Sequence, residues 1–207
     1  MDSLKQMANE YSVLENVDKS SFQRSARLLQ SIWRVERMSD TGDQVFDHLP
    51  VFSDVTPESR WERLRVQGLV ERPLELDQES LLALAQQGIA EDFHCVEGWV
   101  VPDQKWEGVP VSTLLGLAKP LPEAKLLRIS SGSYNVSLSM EEVESSSVII
   151  ALRLNGEALP QEHGGPCRLI AGANKGNFSV KWIDLIELTT TPVEDTGRLI
   201  DISSSHP

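Results

Sequence analysis

Three stretches of this sequence carry residue types that could together serve as a nucleophile, a soft metal ligand or an anion holder. Cys95 lies in Asp92-Phe-His-Cys-Val-Glu-Gly-Trp99, an apolar segment that continues through Trp106-Glu-Gly-Val-Pro110. His163, Cys167 and Arg168 share the stretch Leu154-Asn-Gly-Glu-Ala-Leu-Pro-Gln-Glu-His-Gly-Gly-Pro-Cys-Arg168, and Ser179-Val-Lys-Trp182 follows a second glycine-containing loop. A buried cysteine in a strand most often acts as a small core hydrophobe. As a thiolate it is a soft ligand suited to a sulfur-rich metal centre, provided nearby cations or N–H donors keep it deprotonated. Zinc is a rival use for His94, Cys95, His163 and Cys167. Against it, His94 and Cys95 are adjacent on an expected strand and point to opposite faces. The Gly164-Gly165-Pro166 run between His163 and Cys167 also suits a turn better than a rigid ligand pair. Arg168, Lys175 and Lys181, set beside two glycine-rich loops in an otherwise acidic chain, are consistent with a local anion site.

The elements that must position these groups are short. A chain of 207 residues with 40% hydrophobic and 24% charged residues has the length and composition of one medium globular domain. A net charge of -12 argues against binding nucleic acid or an anionic membrane surface, since both demand clustered Lys and Arg. Two cysteines are too few for a disulfide framework or a four-cysteine iron–sulfur site. No apolar run reaches the length of a membrane span, and the first thirty residues show neither a signal-peptide core nor paired arginines. A cytoplasmic location is therefore expected.

Along the chain, Phe22, Ala26, Leu29, Ile32 and Trp33 recur at helical spacing, which predicts a helix over 20–38. It would either pack on its own domain or dock a partner. The segment 44–52 reads as an irregular loop. Leu64 and Val66 alternate as in a half-buried strand, and Leu81–Gln87 reads as a short helix stopped by Gly88. The cysteine strand is expected from about Glu91 to Val101, broken by Pro102-Asp103 and followed by a helix over Val111–Ala118. Strands are expected at 126–130, 134–138, 148–154, 167–170 and 184–189, with a helical turn at 140–143 and a hairpin turn at Asn155-Gly156. Many short strands mixed with a few short helices indicate an α+β domain. Neither GxGxxG nor a P-loop occurs.

Read together, Phe93-His-Cys-x-x-x-Trp99 with Trp106-x-Gly-Val-Pro110, the Asn155-Gly-x-x-Leu-Pro-x-x-His-Gly-Gly-Pro-x-Arg168 loop and Ser179-Val-Lys-Trp182 resemble the sulfite-oxidase-fold molybdopterin oxidoreductases. The resemblance covers about residues 44–190 and implies a fold of mixed sheets with short helices. It implies a molybdenum–molybdopterin cofactor, with Cys95 as the thiolate ligand to the metal. Asp47, His48, Ser131, His163, Arg168, Ser179, Val180 and Lys181 would hold the pterin, and Tyr134 would border the substrate pocket. The implied domains are a helical extension over 1–40, the cofactor domain over 41–191 and a polar tail over 192–207.

Two positions depart from the family. Phe46 stands where sulfite oxidases carry an arginine for the anionic substrate, and Asp47 stands where the loop usually has asparagine. A sulfite dianion needs fixed positive charge, so these changes touch the substrate more than the cofactor. The expected function is two-electron oxo transfer on a small oxo or sulfur compound, with electrons exchanged through a separate protein partner. The alternative is a binding or regulatory module that keeps the fold without the chemistry.

Overall fold

The computed structural model of the chain describes residues 37–38, 42–51, 60–95, 98–145, 147–172 and 178–192. All of them belong to one unit, Arg37–Pro207. The expected helix over 20–38, the polar tail beyond 192 and Lys175 lie outside the described residues, except that Arg37–Met38 form a strand instead.

In chain order, β1 (Arg37–Met38), β2 (Gln44–Val45), β3 (Leu64–Gly68) and β4 (Leu74–Leu76) precede helix α1 (Gln78–Ala83). The hairpin of β5 (Gln87–Cys95) and β6 (Trp99–Pro110) leads into α2 (Val111–Ala118). Next come the hairpin of β7 (Leu126–Ser131) and β8 (Tyr134–Ser139), helix α3 (Met140–Ser145), β9 (Val148–Leu154) and β10 (Glu157–Ala158). A 3-10 turn at Gln161–His163, then β11 (Arg168–Ala171) and β12 (Leu185–Thr189), complete the described elements.

These strands form two sheets. One runs β1-β2-β6-β9-β10, with β5 paired to β6 and β11 paired to β9; the other runs β4-β3-β12-β7-β8. Because side chains alternate along a strand, β9 feeds two cores. Val148, Ile150 and Leu152 enter the larger one with Leu64, Val66, Leu127, Ile129 and Ile186. Ile149 and Ala151 enter a smaller one with Val101, Trp106, Leu159 and Ile170. The same alternation sends Leu169 of β11 into the larger core and Ile170 into the smaller one. Arg168, two residues before Ile170, therefore projects on the smaller core's side. That small aromatic core carries the site.

Three expectations need correction. The segment 91–101 is not one strand but the two arms of a hairpin, in which Cys95 pairs with Trp99 and Gly98 N–H donates to the Cys95 carbonyl at 3.1 Å. Pro102-Asp103 does not end the strand; β6 runs through it, with Asp103 at φ +55° and the ladder shifting register opposite, between Glu91 and Phe93. The first helix ends at Ala83, not Gln87. It begins at Asp77, whose carboxylate caps it by accepting from Ser80 N–H, and Gln87-Gly88 already belong to β5. A shorter difference lies at 44–45, where β2 pairs in parallel with Trp99 and Val100 inside the expected loop.

Candidate functional site

The site grows out of the β5–β6 hairpin. Phe93 and Cys95 lie on one face of β5, two residues apart, while His94 points to the other face, where its Nδ1 is 3.9 Å from Asp43 Oδ2. Around that first face the Phe93 ring lies 5.8 Å from Trp99 and 5.8 Å from Trp106, and Phe46 packs edge-on against Trp99 at 5.9 Å. Phe46 is held there by its N–H donating to the Val100 carbonyl at 2.9 Å. Position 46 thus adds an aromatic ring beside the cysteine strand, not a cation.

Arg168 enters this aromatic layer from β11. Its guanidinium carbon is 5.2 Å from the Phe93 ring and 5.2 Å from the Trp106 ring, and the residue is only 3% exposed. Nη1 donates to the His163 carbonyl at 2.8 Å and Nη2 to the Ser179 carbonyl at 3.1 Å. The two sequence-distant loops are thereby tied to one side chain. Burial lowers the guanidinium to about 10 and the Cys95 thiol opposes that shift, so Arg168 keeps its proton at neutral pH and faces Cys95 electrostatically.

The loops themselves are closely fitted. Gly164, at φ +104°, lies so near Lys181 that a β-carbon there would stand 3.0 Å from the Lys181 Cβ and Cγ. Gly165 backs directly onto the Leu159 carbonyl, where a side chain would collide with backbone. Lys181 Nζ donates to the Glu162 carbonyl at 2.9 Å. Its ammonium is held below the ordinary lysine value, first by burial and then by Arg168, while Cys95 pulls it upward. His163 is likewise pushed below the usual imidazole value by burial; Glu162 opposes this, and Lys181, Arg168 and His48 reinforce it. Arg168 and Lys181 thus feel both Cys95 and His163, and His163 also feels His48.

The other expected site residues are placed as follows. Asp47 and His48 are exposed at the end of β2, next to Phe46. Ser179 offers its carbonyl to Arg168, while Val180 is buried in the larger core with its N–H bonded to Phe178 and its carbonyl to Leu169. Ser131 and Tyr134 face each other at the tip of the β7–β8 hairpin in the second sheet, and Tyr134 packs on the larger core. The adjacent Ser130 carbonyl accepts from Asp184 N–H at 3.0 Å, which links that tip to the chain leaving the Lys181 loop. Cys167, four residues from His163, is wholly buried against the Ile183 carbonyl, and burial pushes its thiol up. No disulfide joins it to Cys95. Among the described residues no three His, Cys, Asp or Glu side chains gather into a metal-binding group. Sequence reasoning missed two participants, Phe93 and Trp106, whose aromatic spacing around a strand cysteine was the available signal.

Residues 48–196 match the oxidoreductase molybdopterin binding domain. The chain belongs to this family. It is 31% identical over 151 residues to the uncharacterized oxidoreductase YuiH of Bacillus subtilis, covering 72% of this chain and 71% of that protein. It is 32% identical over 148 residues to the protein-methionine-sulfoxide reductase catalytic subunit MsrP of Gluconobacter oxydans, covering 60% of this chain and 46% of that protein. A nitrate reductase [NADPH] of Beauveria bassiana shares 32% identity over 104 residues, 46% of this chain but 12% of that protein. Among solved structures, the sulfane dehydrogenase SoxCD of Paracoccus pantotrophus superposes with a TM-score of 0.61 at 27% identity, over 79% of this chain and 46% of that chain. The chain thus spans less than half the length of most of these relatives.

The family's fold is the one described above, a sulfite-oxidase-like arrangement of mixed sheets with short helices, and its cofactor is molybdenum bound to molybdopterin. The residues present fit that group. Two buried N–H donors, Arg168 Nε and Trp106 Nε1, have no acceptor among the described residues, and such donors are costly unless met. Both belong to the aromatic layer carrying Phe93, next to Cys95 on the strand. With Lys181 they form a cationic, donor-rich lining suited to an anionic group edged with acceptors. Among the described residues no helix is long and apolar enough to cross a membrane.

Proposed function

We propose that this domain performs two-electron oxo transfer on a small oxo or sulfur compound, with Cys95 as the protein ligand to molybdenum. The observation that carries this reading is the buried Arg168 guanidinium lying 5.2 Å from the ring of Phe93, two residues from Cys95 on the same strand, with Arg168 Nε and Trp106 Nε1 left without acceptors among the described residues; a cation in this layer is what a strand thiolate needs. When bound, the cofactor supplies a metal centre that cycles between oxidation states two electrons apart. The chain's own part is binding, orientation and exclusion of water. Phe46, Phe93, Trp99 and Trp106 wall the cysteine strand with rings, which lowers the local dielectric and strengthens every charge interaction inside. His163, held neutral by burial at pH 7, offers the pterin one donor and one acceptor. Arg168 and Lys181 remain cations and hold negative charge, with His48, Asp47, Ser131 and Ser179 completing the cofactor's surroundings; Val180, buried in the larger core with both backbone groups bonded within the chain, anchors the loop that carries Ser179 and Lys181. Tyr134 borders the substrate side.

The ring of Phe46 supports a substrate other than sulfite. Where a dianion would need a cation, this chain has an edge-on aromatic pair with Trp99. A neutral oxo compound asks for no such charge. The two cysteines of this domain are too few for a four-cysteine iron–sulfur site, which supports electron exchange with a redox centre outside these residues, in our reading one on a separate partner protein. Metal content tests the reading. Protein made in a host that synthesises the pterin should carry near-stoichiometric molybdenum by mass spectrometry, and Cys95→Ala should remain folded but lose turnover. Full turnover in Cys95→Ala would remove Cys95 from the metal.

A further inference from the structure

Four successive carbonyls of the His163 loop are each held by a donor from outside it. Trp182 Nε1 donates to Gln161 at 2.8 Å, Lys181 Nζ to Glu162 at 2.9 Å, Arg168 Nη1 to His163 at 2.8 Å and Trp182 N–H to Gly164 at 3.2 Å. Two of the four donors belong to Trp182. That residue is also buried with φ at +52°, in the left-handed region. A bulky L residue adopts this conformation only at a cost in backbone strain, and keeps it only where the surroundings over-determine it. The surroundings here are the two hydrogen bonds. Behind the loop, Gln161, Gly165, Pro166 and Trp182 itself line a cleft of about 630 Å³. Close packing from that side is therefore not what holds the loop; hydrogen bonds are, the four from outside together with those that His163, Gly164 and Gly165 N–H make within it.

The left-handed turn at Trp182 also determines where Lys181 lies. Its stem runs over the bare Cα of Gly164, and its ammonium lies 5.5 Å from the Trp182 ring centroid. The geometry points to Trp182 as a positioning residue: it locks the Lys181 cation and the His163 loop into one preformed cradle for the anionic end of the cofactor, and it acts through Lys181. This rests on the cofactor assignment made above. Nothing in the residue type alone announces it, because a tryptophan after Ser-Val-Lys reads equally well as a core anchor.

The test is a double-mutant comparison on holoprotein, following loss of molybdopterin during dialysis by the fluorescence of the released, oxidised pterin. Trp182→Phe removes the donor to Gln161 and should speed that loss about tenfold, the effect of one hydrogen bond. Lys181→Met should speed it at least as much. The Trp182→Phe/Lys181→Met double variant should lose pterin no more than about twofold faster than Lys181→Met alone, since residues acting as a unit are non-additive. Trp182→His, which keeps a ring N–H, should recover part of the loss seen in Trp182→Phe. Multiplying effects in the double variant, or unchanged retention in Trp182→Phe, would overturn the positioning role while leaving the cofactor assignment intact. Wild-type protein that carries no molybdopterin would instead overturn the assignment, and the positioning role with it.

Discussion

Replacing Arg168 by methionine should destabilise the cofactor-free protein by about 3 kcal/mol, although the change puts a hydrophobic side chain into an aromatic layer. The guanidinium makes two charge-assisted hydrogen bonds to backbone carbonyls, each contributing roughly 1.5–3 kcal/mol. It also lies over two rings at 5.2 Å, each contact contributing about 0.5–2 kcal/mol. Against these stands the penalty of burying a cation. The fall of its pKa from 12.5 to about 10 corresponds to roughly 3 kcal/mol disfavouring the charged form. Methionine would remove that penalty but also all four contacts, and would leave the His163 and Ser179 carbonyls without their donor. The bonds win. Urea titration of the cofactor-free protein measures the difference, and Arg168→Lys, which keeps the charge but not the fork, should fall between wild type and Arg168→Met. A loss below about 1 kcal/mol for Arg168→Met would refute the view that this side chain ties the two loops together.

Further outcomes follow from the same geometry. Burial depresses the His163 imidazole below its ordinary value, so the unfolded chain takes up that proton first as pH falls. Stability is untouched above about 6.5 and declines as pH drops toward the folded value; His163→Gln should flatten urea midpoints measured from about pH 7.5 to about pH 5. Asn155 sits at φ +52°, accepts from Lys105 N–H at 2.9 Å and donates to Gln104 at 3.1 Å, so Asn155→Ala should lower stability by about 1–2 kcal/mol in the same assay. Cys167 is wholly buried and its thiol is pushed upward, whereas Cys95 is half-buried near two cations. A thiol reagent should therefore modify Cys95 alone in the folded cofactor-free protein and reach Cys167 only after denaturation, read by mass spectrometry of the labelled peptides.

The chemistry-bearing loops were legible because their residue types act locally. Asn155-Gly156 reads as a two-residue turn with positive φ, and the structure has both residues there, at +52° and +88°. Gly164 and Gly165 read as a turn because only glycine permits the approach to Lys181 and Leu159. The errors arose where tertiary pairing overrode a local pattern. The apolar run through Val101 looks continuous, yet pairing of Cys95 with Trp99 folds it into a hairpin. The helix expected over Leu81–Gln87 instead spans Gln78–Ala83, because Asp77 caps it by accepting from Ser80 N–H and pairing with β6 draws Gln87 into β5. The stack of Arg168 on Phe93 and Trp106 joins β11 to the β5–β6 hairpin far earlier in the sequence, and no spacing rule brings them together. Trp182 in the left-handed region is invisible to any propensity, and its two hydrogen-bond partners, Gln161 and Gly164, are named by no local pattern.

In the function proposed above, the Cys95 sulfur would be the protein's ligand to molybdenum. X-ray absorption at the molybdenum edge of holoprotein tests it most directly, because a thiolate is a strong, short-range scatterer distinct from oxygen or nitrogen. Cys95→Ser should still bind molybdopterin, held by the Arg168 and Lys181 loops, and its spectrum should show one sulfur neighbour fewer than wild type. An unchanged sulfur shell in Cys95→Ser would contradict it.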